Sequence, residues 1–147
     1  GTGFFNAKKM PLRSHESVLI FYNKLPTYNP QMTHGHARKV SSRTDAKSEC
    51  YGKAVKKTSY DSTSRYPRSI QRFSSDKQKG NFHPTQKPVA LMDYLIKTYT
   101  NENEIVLDFA MGSGTAGVAA KSLQRKFIGI ELDEKYFTIA KERIKES

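Results

Sequence analysis

Hydrophobic and polar positions alternate between two periods along this chain, and the later half is the better ordered of the two. Residues 17–22, SVLIFY, are an unbroken β-branched and aromatic run, which predicts a buried strand. Pro26 and Pro30 end it. After Pro88, which fits a first helical turn, Leu91, Met92, Leu95, Ile96 and Tyr99 recur at three-and-four spacing and predict one buried helix face. Residues 105–109 are apolar apart from Asp108, the pattern of a parallel strand covered on both faces. Residues 116–123 predict a helix whose Ala116, Gly117, Ala119 and Ala120 allow close approach to a sheet, and FIGIE, residues 127–131, predicts a second buried strand. Asp133 caps a last helix with Tyr136, Phe137, Ala140 and Ile144 along one side. Strand, helix, strand, helix in this order predicts an α/β fold built on a right-handed βαβ unit.

Between these patterned regions lies residues 33–81, rich in Ser, Thr, Lys, Arg and Tyr, where only RSIQRF, residues 68–73, reads as a short strand. Such a segment has too little apolar surface for a core of its own. The division that follows is residues 1–32 with one strand, residues 33–81 as a basic loop-rich insertion, and residues 82–147 as the ordered βαβ region.

Charge sharpens this division. Residues 38–79 hold twelve Lys or Arg against Asp45, Glu49, Asp61 and Asp76, and so carry +8 of the chain's formal +11. A polyanion is the first partner to consider, with Arg65, Arg68 and Arg72 the leading candidates for phosphate or groove contacts and Tyr51, Tyr60 and Tyr66 interleaved as packing or stacking surfaces. The lone Cys50 has no disulfide or zinc partner and is expected to be a bystander. His34 and His36 lack ligand-like companions, so no metal is expected. His15 and Glu16, at a strand start, are expected to be structural. Without a long apolar run or a leader-like apolar core, the chain is expected to be cytoplasmic and away from membranes.

The chemistry concentrates in VLDFAMGSGTAG, residues 106–117. Gly112 and Gly114 allow a tight turn, and Thr115 opens a helix whose free N–H groups favour an anionic group. Glu131, at the tip of the next strand, is placed to accept ribose hydroxyl hydrogens. The spacing Gly112-x-Gly114-x-x-Gly117 satisfies the dinucleotide fingerprint as well. Asp108 argues against a diphosphate, which it would repel, and for a ligand with an ammonium group, S-adenosylmethionine above all.

HPTQKP (residues 83–88), VLDFAMGSGTAG and FIGIELDEKYFTIAKERI, in that order, resemble the cofactor motifs of the N6-adenine/N4-cytosine DNA methyltransferases, in the permuted group whose cofactor half follows the catalytic half. RSHESVLIFY and RYPRSI also resemble the family, prophage-like members in particular. The resemblance implies a partial Rossmann-like methyltransferase fold, S-adenosylmethionine as cofactor and double-stranded DNA as partner. It implies that Thr85 and Lys87, on a turn shaped by His83 and Pro84, meet the methionine end, and that Asp108, Phe109, Ala110, Gly112 and Gly114 meet the methionyl and ribose parts. Glu131 is implied for the ribose, with Leu132 and Asp133 near the adenine, and residues 33–81 fall where the family places target recognition.

Family members recruit the base amine with a polar residue followed by Pro-Pro and an aromatic. The six prolines here, at 11, 26, 30, 67, 84 and 88, include no adjacent pair. No catalytic residue is therefore assigned. In the permuted order the missing motif lies upstream of residue 1, so the expectation is a C-terminal part of a DNA methyltransferase, adenine N6 ahead of cytosine N4, partnered by its upstream catalytic half. The alternatives are a non-catalytic nucleic-acid-binding module that keeps the fold, and a dinucleotide-dependent oxidoreductase, which Asp108 and HPTQKP oppose.

Overall fold

The computed structural model describes residues 8–11, 15–43, 58–74 and 82–147. Its elements in chain order are β1 (Lys39–Arg43), β2 (Thr58–Ser62), α1 (Val89–Tyr99), β3 (Ile105–Asp108), α2 (Thr115–Ser122), β4 (Lys126–Gly129) and α3 (Glu134–Glu146). Cys50 and Tyr51 lie outside the described residues.

The expected β-α-β-α order is present. β3 and β4 pair in parallel, with Val106 opposite Phe127 and Asp108 opposite Gly129. The ladder runs past both strand ends: Lys126 N–H donates to Glu104 O, Ile130 N–H to Asp108 O and Met111 N–H to Ile130 O. α2 lies against this pair on the Val106 and Phe127 side. Ala119 and Ala120 are fully buried there, and with Ile96 of α1 they form a core extended by Val89, Met92, Val106, Leu123 and Phe127. Two methyl side chains at this point let helix, helix and sheet approach closely, as the small-residue pattern requires. The arrangement is a partial Rossmann-like α/β fold.

Coverage of β3 and β4 differs from expectation. Exposure alternates along each strand, and Ile105, Leu107, Ile128 and Ile130 face outward at half exposure or more. One sheet face is packed and the other is open among the described residues, because α2, with α1 packed beside it, covers a single side.

α1 begins one residue later than expected, with Pro88 extended at its N-cap. Its C-terminus is closed by Asn29, whose N–H donates to Thr98 O and whose amide donates to Lys97 O and Thr100 O. Those carbonyls have no partner within the helix, so one asparagine from the first third of the chain satisfies what the helix cannot. Thr98, 2 % exposed, sits beneath this clasp.

Two expectations for the first half are corrected. Residues 17–22 form no strand and are exposed, Phe21 at 86 %. A strand requires a neighbour for its backbone groups, and no described residue offers one there. Residues 68–73 are likewise not a strand; Phe73 packs on Tyr94 of α1 with ring centroids 5.7 Å apart, while Ile70 faces outward. The regular structure of the basic region is instead the antiparallel pair β1 and β2, registered Lys39 to Ser62 through Arg43 to Thr58. A bridge between Thr33 and Arg65 continues it. Along β2 the half-buried Tyr60 and Ser62 alternate with the exposed Ser59 and Asp61, a period that the sequence TSYDS, polar except for Tyr60, does not display.

Candidate functional site

The chain reverses direction between β3 and α2 through Phe109 to Gly114. Asp108, at the strand tip, accepts from the Ala110 N–H at 3.1 Å and so sets the first bend. Gly112 (φ 52°) and Gly114 (φ 76°) take left-handed conformations that side-chain-bearing residues adopt at a cost. The two glycines then serve different purposes. Gly112 lies beneath the His83 ring, with room for van der Waals contact. Gly114 is closed off by α3, since a Cβ there would stand 2.8 Å from the Ala140 Cβ.

Glu131 links this turn to the tip of β4. One carboxylate oxygen accepts from Gly112 N–H at 2.8 Å and the other from Asp133 N–H at 2.9 Å. The Asp133 amide foremost, joined by those of Gly112 and Leu132, holds the Glu131 carboxyl below the usual carboxylate range against the opposing effects of desolvation and of the Asp133 charge. Asp133 in turn caps α3 by accepting from Tyr136 N–H at 3.1 Å, as expected.

HPTQKP faces the turn from the other side. His83 Nδ1 lies 3.2 Å from the Thr85 N–H, from which it accepts, and 3.0 Å from Thr85 Oγ1; Gln86 N–H donates to His83 O and the Gln86 amide oxygen accepts from Phe82 N–H. The ring meets Tyr136 edge-on at 4.3 Å between centroids. Arg143 of α3 reaches over both segments, donating to Ser113 O while its guanidinium stands 4.7 Å from the Phe82 ring centre.

Between the two segments lies a cavity of about 110 Å³, lined by His83, Thr85, Lys87, Asp108, Ala110, Gly112 and Thr115 together with Gln86, Met92, Met111, Ser113 and Ala116. Seven residues expected from sequence therefore share one wall or another of the same cavity. The remaining expected residues lie around it. Pro84 shapes the turn, Gly114 packs against α3, Glu131 braces Gly112, and Phe109, Leu132 and Asp133 are exposed, Leu132 completely. Met111 and Ser113 were not singled out from sequence. Both are buried within the glycine turn, where no charge or periodicity marks them. Glu16 was passed over as structural, yet its carboxylate accepts from Lys87 Nζ at 2.5 Å.

The basic region separates its three arginines. Arg65 is turned into the β1–β2 pair, donating to Ser62 O, Ser64 O and Ala37 O. Arg68 and Arg72 are exposed. Arg38 forms a two-pronged pair with Asp61 across the strands, at 2.8 and 2.6 Å. His36 bonds Thr33 and His34 bonds Ser64, and no group of three or more metal-ligating side chains occurs among the described residues. No helix among them is long and apolar enough to cross a membrane.

Comparison with known proteins places this geometry. The DNA methylase family, the N6/N4 methyltransferases, matches residues 2–142. The type II methyltransferase M2.LlaDCHI of Lactococcus lactis subsp. cremoris is 50 % identical over 70 residues, 48 % of this chain and 26 % of that protein. The type II methyltransferase M.HinfI of Haemophilus influenzae is 41 % identical over 71 residues, 48 % of this chain and 20 % of its own. Among solved structures, the M1.HpyAVI–SAM complex is 55 % identical over 45 % of this chain and 32 % of that one, with a TM-score of 0.44. The chain spans about a quarter of the length of the curated relatives M2.LlaDCHI and M2.DpnII. A family match over nearly the whole sequence, joined to a glycine turn, a strand-tip Asp108 and a facing HPTQKP segment, leads to one conclusion: this chain belongs to the N6/N4 DNA methylase family.

Proposed function

We propose that this chain supplies the S-adenosylmethionine site and part of the DNA-contacting surface of a DNA methyltransferase acting on an exocyclic base amine, with adenine N6 the first substrate to test. The observation that carries the reading is the cavity shared by Asp108, the glycine turn and HPTQK. Its lining suits the amino-acid end of the cofactor: Asp108 is a carboxylate for the ammonium, and Lys87 is a cation on the same cavity for the carboxylate. Beyond it, Glu131 retains unused lone pairs for ribose hydroxyls while it braces Gly112. When bound, the cofactor supplies an electrophilic methyl group on a sulfonium. The chain's own residues bind and orient it and keep its charged end paired.

DNA contact rests on the exposed Arg68 and Arg72 and on the β1–β2 pair, within a region that carries +8 of the formal +11. Recruitment of the base amine is assigned to a catalytic half outside these 147 residues, which contain no adjacent prolines. Titration calorimetry of the chain with S-adenosylmethionine and, separately, with NAD tests the reading. Heat of binding with the first alone supports it; binding of NAD alone overturns it. Methyl transfer to DNA by the purified chain would overturn the assignment of catalysis to another segment.

A further inference from the structure

Glu16 stands apart from the cofactor motifs, yet it is tied to the cavity from 71 residues away, through the 2.5 Å contact with Lys87 Nζ. Both side chains are accessible, Lys87 at 45 % and Glu16 at 67 %. The hydrogen bond from Lys87, and then its charge, lower the Glu16 carboxyl from its ordinary value. Lys87 and Asp108 are the Lys and the Asp lining one cavity. A lysine ammonium on a flexible four-carbon stem pairs with whichever carboxylate it reaches. Were it to settle on Asp108, it would neutralise the negative charge that suits an ammonium-bearing ligand. Glu16 provides the competing carboxylate.

We propose that Glu16 is a positioning residue of the cofactor site: it holds the Lys87 ammonium away from Asp108, so that the cavity offers separate negative and positive groups to the zwitterionic end of the cofactor. This inference rests on the cofactor reading above. It makes Glu16 matter for the amino-acid end of the ligand and not for the nucleoside.

The test uses the full chain and two ligands, S-adenosylmethionine and 5′-methylthioadenosine, which has the nucleoside and thioether without the amino-acid end. Glu16→Gln weakens S-adenosylmethionine binding roughly fivefold, the range of an accessible ion pair, and leaves 5′-methylthioadenosine unchanged. Glu16→Asp falls between. In a Lys87→Met background, Glu16→Gln has no further effect. Wild-type binding with an unaffected Glu16→Gln overturns this inference alone, as does equal weakening of both ligands. Failure of the wild-type chain to bind either ligand overturns the cofactor reading and the inference with it. A carbon-detected titration of Glu16 is the independent arm: a midpoint below that of an ordinary glutamate, returning to normal in Lys87→Met, is expected, and an ordinary midpoint in the wild type overturns the pairing.

Discussion

At the scale of single residues, the glycine turn depends on carboxylates that hold its backbone amides. Glu131 holds two loop amides, and its depressed pKa makes the fold sensitive to acid. A carboxyl whose folded pKa is lowered contributes stability above its unfolded value and loses it as pH falls through the folded one. Thermal denaturation from neutral pH downward therefore shows an acid-side fall that flattens in Glu131→Gln. Glu131→Ala abolishes cofactor binding in calorimetry, and unchanged binding would remove Glu131 from the site. Asp93 on α1 has the opposite sign. One of its oxygens is closed off from solvent without a partner, and burial raises its pKa against the pull of Lys97. Its folded form binds a proton more tightly, so charging it opposes folding as pH rises past the ordinary aspartate value. Asp93→Asn raises Tm at pH 7, and the gain disappears near pH 3.

Asp108 and Glu131 were legible because each has a chemical reason to stand at its spacing, and His83 and Thr85 because HPTQKP resembles a family motif. Pairings between distant segments, Glu16 with Lys87 or Arg143 with Ser113 O, carry no spacing signal. They emerge only when the chain is folded.

At the scale of elements, the glycine turn is fitted to α3 as closely as to any ligand. Gly114→Ala combines a left-handed φ of 76° with a Cβ 3.0 Å from the Ala140 backbone. The expected destabilisation is about 2 kcal/mol or more in urea unfolding. A loss below about 0.5 kcal/mol would show that α3 yields easily. In the basic region, Arg65 differs from its neighbours. Replacing Arg68 and Arg72 together weakens DNA binding and reduces its salt slope by about two, with Tm unchanged. Replacing Arg65 lowers Tm through loss of the hydrogen bonds it donates to Ser62 O, Ser64 O and Ala37 O. Equal salt slopes for wild type and the double variant would assign the charge to a solvated surface.

The parallel strands and three helices were legible from period alone, since each buries a face against a partner within 65 residues of sequence beginning at Phe82. Residues 17–22 carry the composition of a strand without a neighbour to pair with, and composition alone does not supply one. β1 and β2 had the reverse history, with pairing partners but little apolar content.

At the scale of the whole molecule, one side of the β3–β4 pair displays a run of aliphatic side chains. Leu107 and Ile128 are register partners and are 58 % and 50 % exposed. Such a patch promotes self-association in an isolated chain. Leu107→Glu with Ile128→Lys, a cross-strand charge pair, keeps the chain monomeric in sedimentation at concentrations where the wild type associates, and changes stability by less than about 1 kcal/mol. A large loss of Tm would mean that this face is packed in solution.

Arg143 stands in the last turn of α3, and it reaches the carbonyl of Ser113 and the ring that precedes HPTQKP. The last turn of α3 is thus a latch across the cavity, so replacing Arg143 with alanine would spare every cavity-lining residue and still release this tie between its two sides.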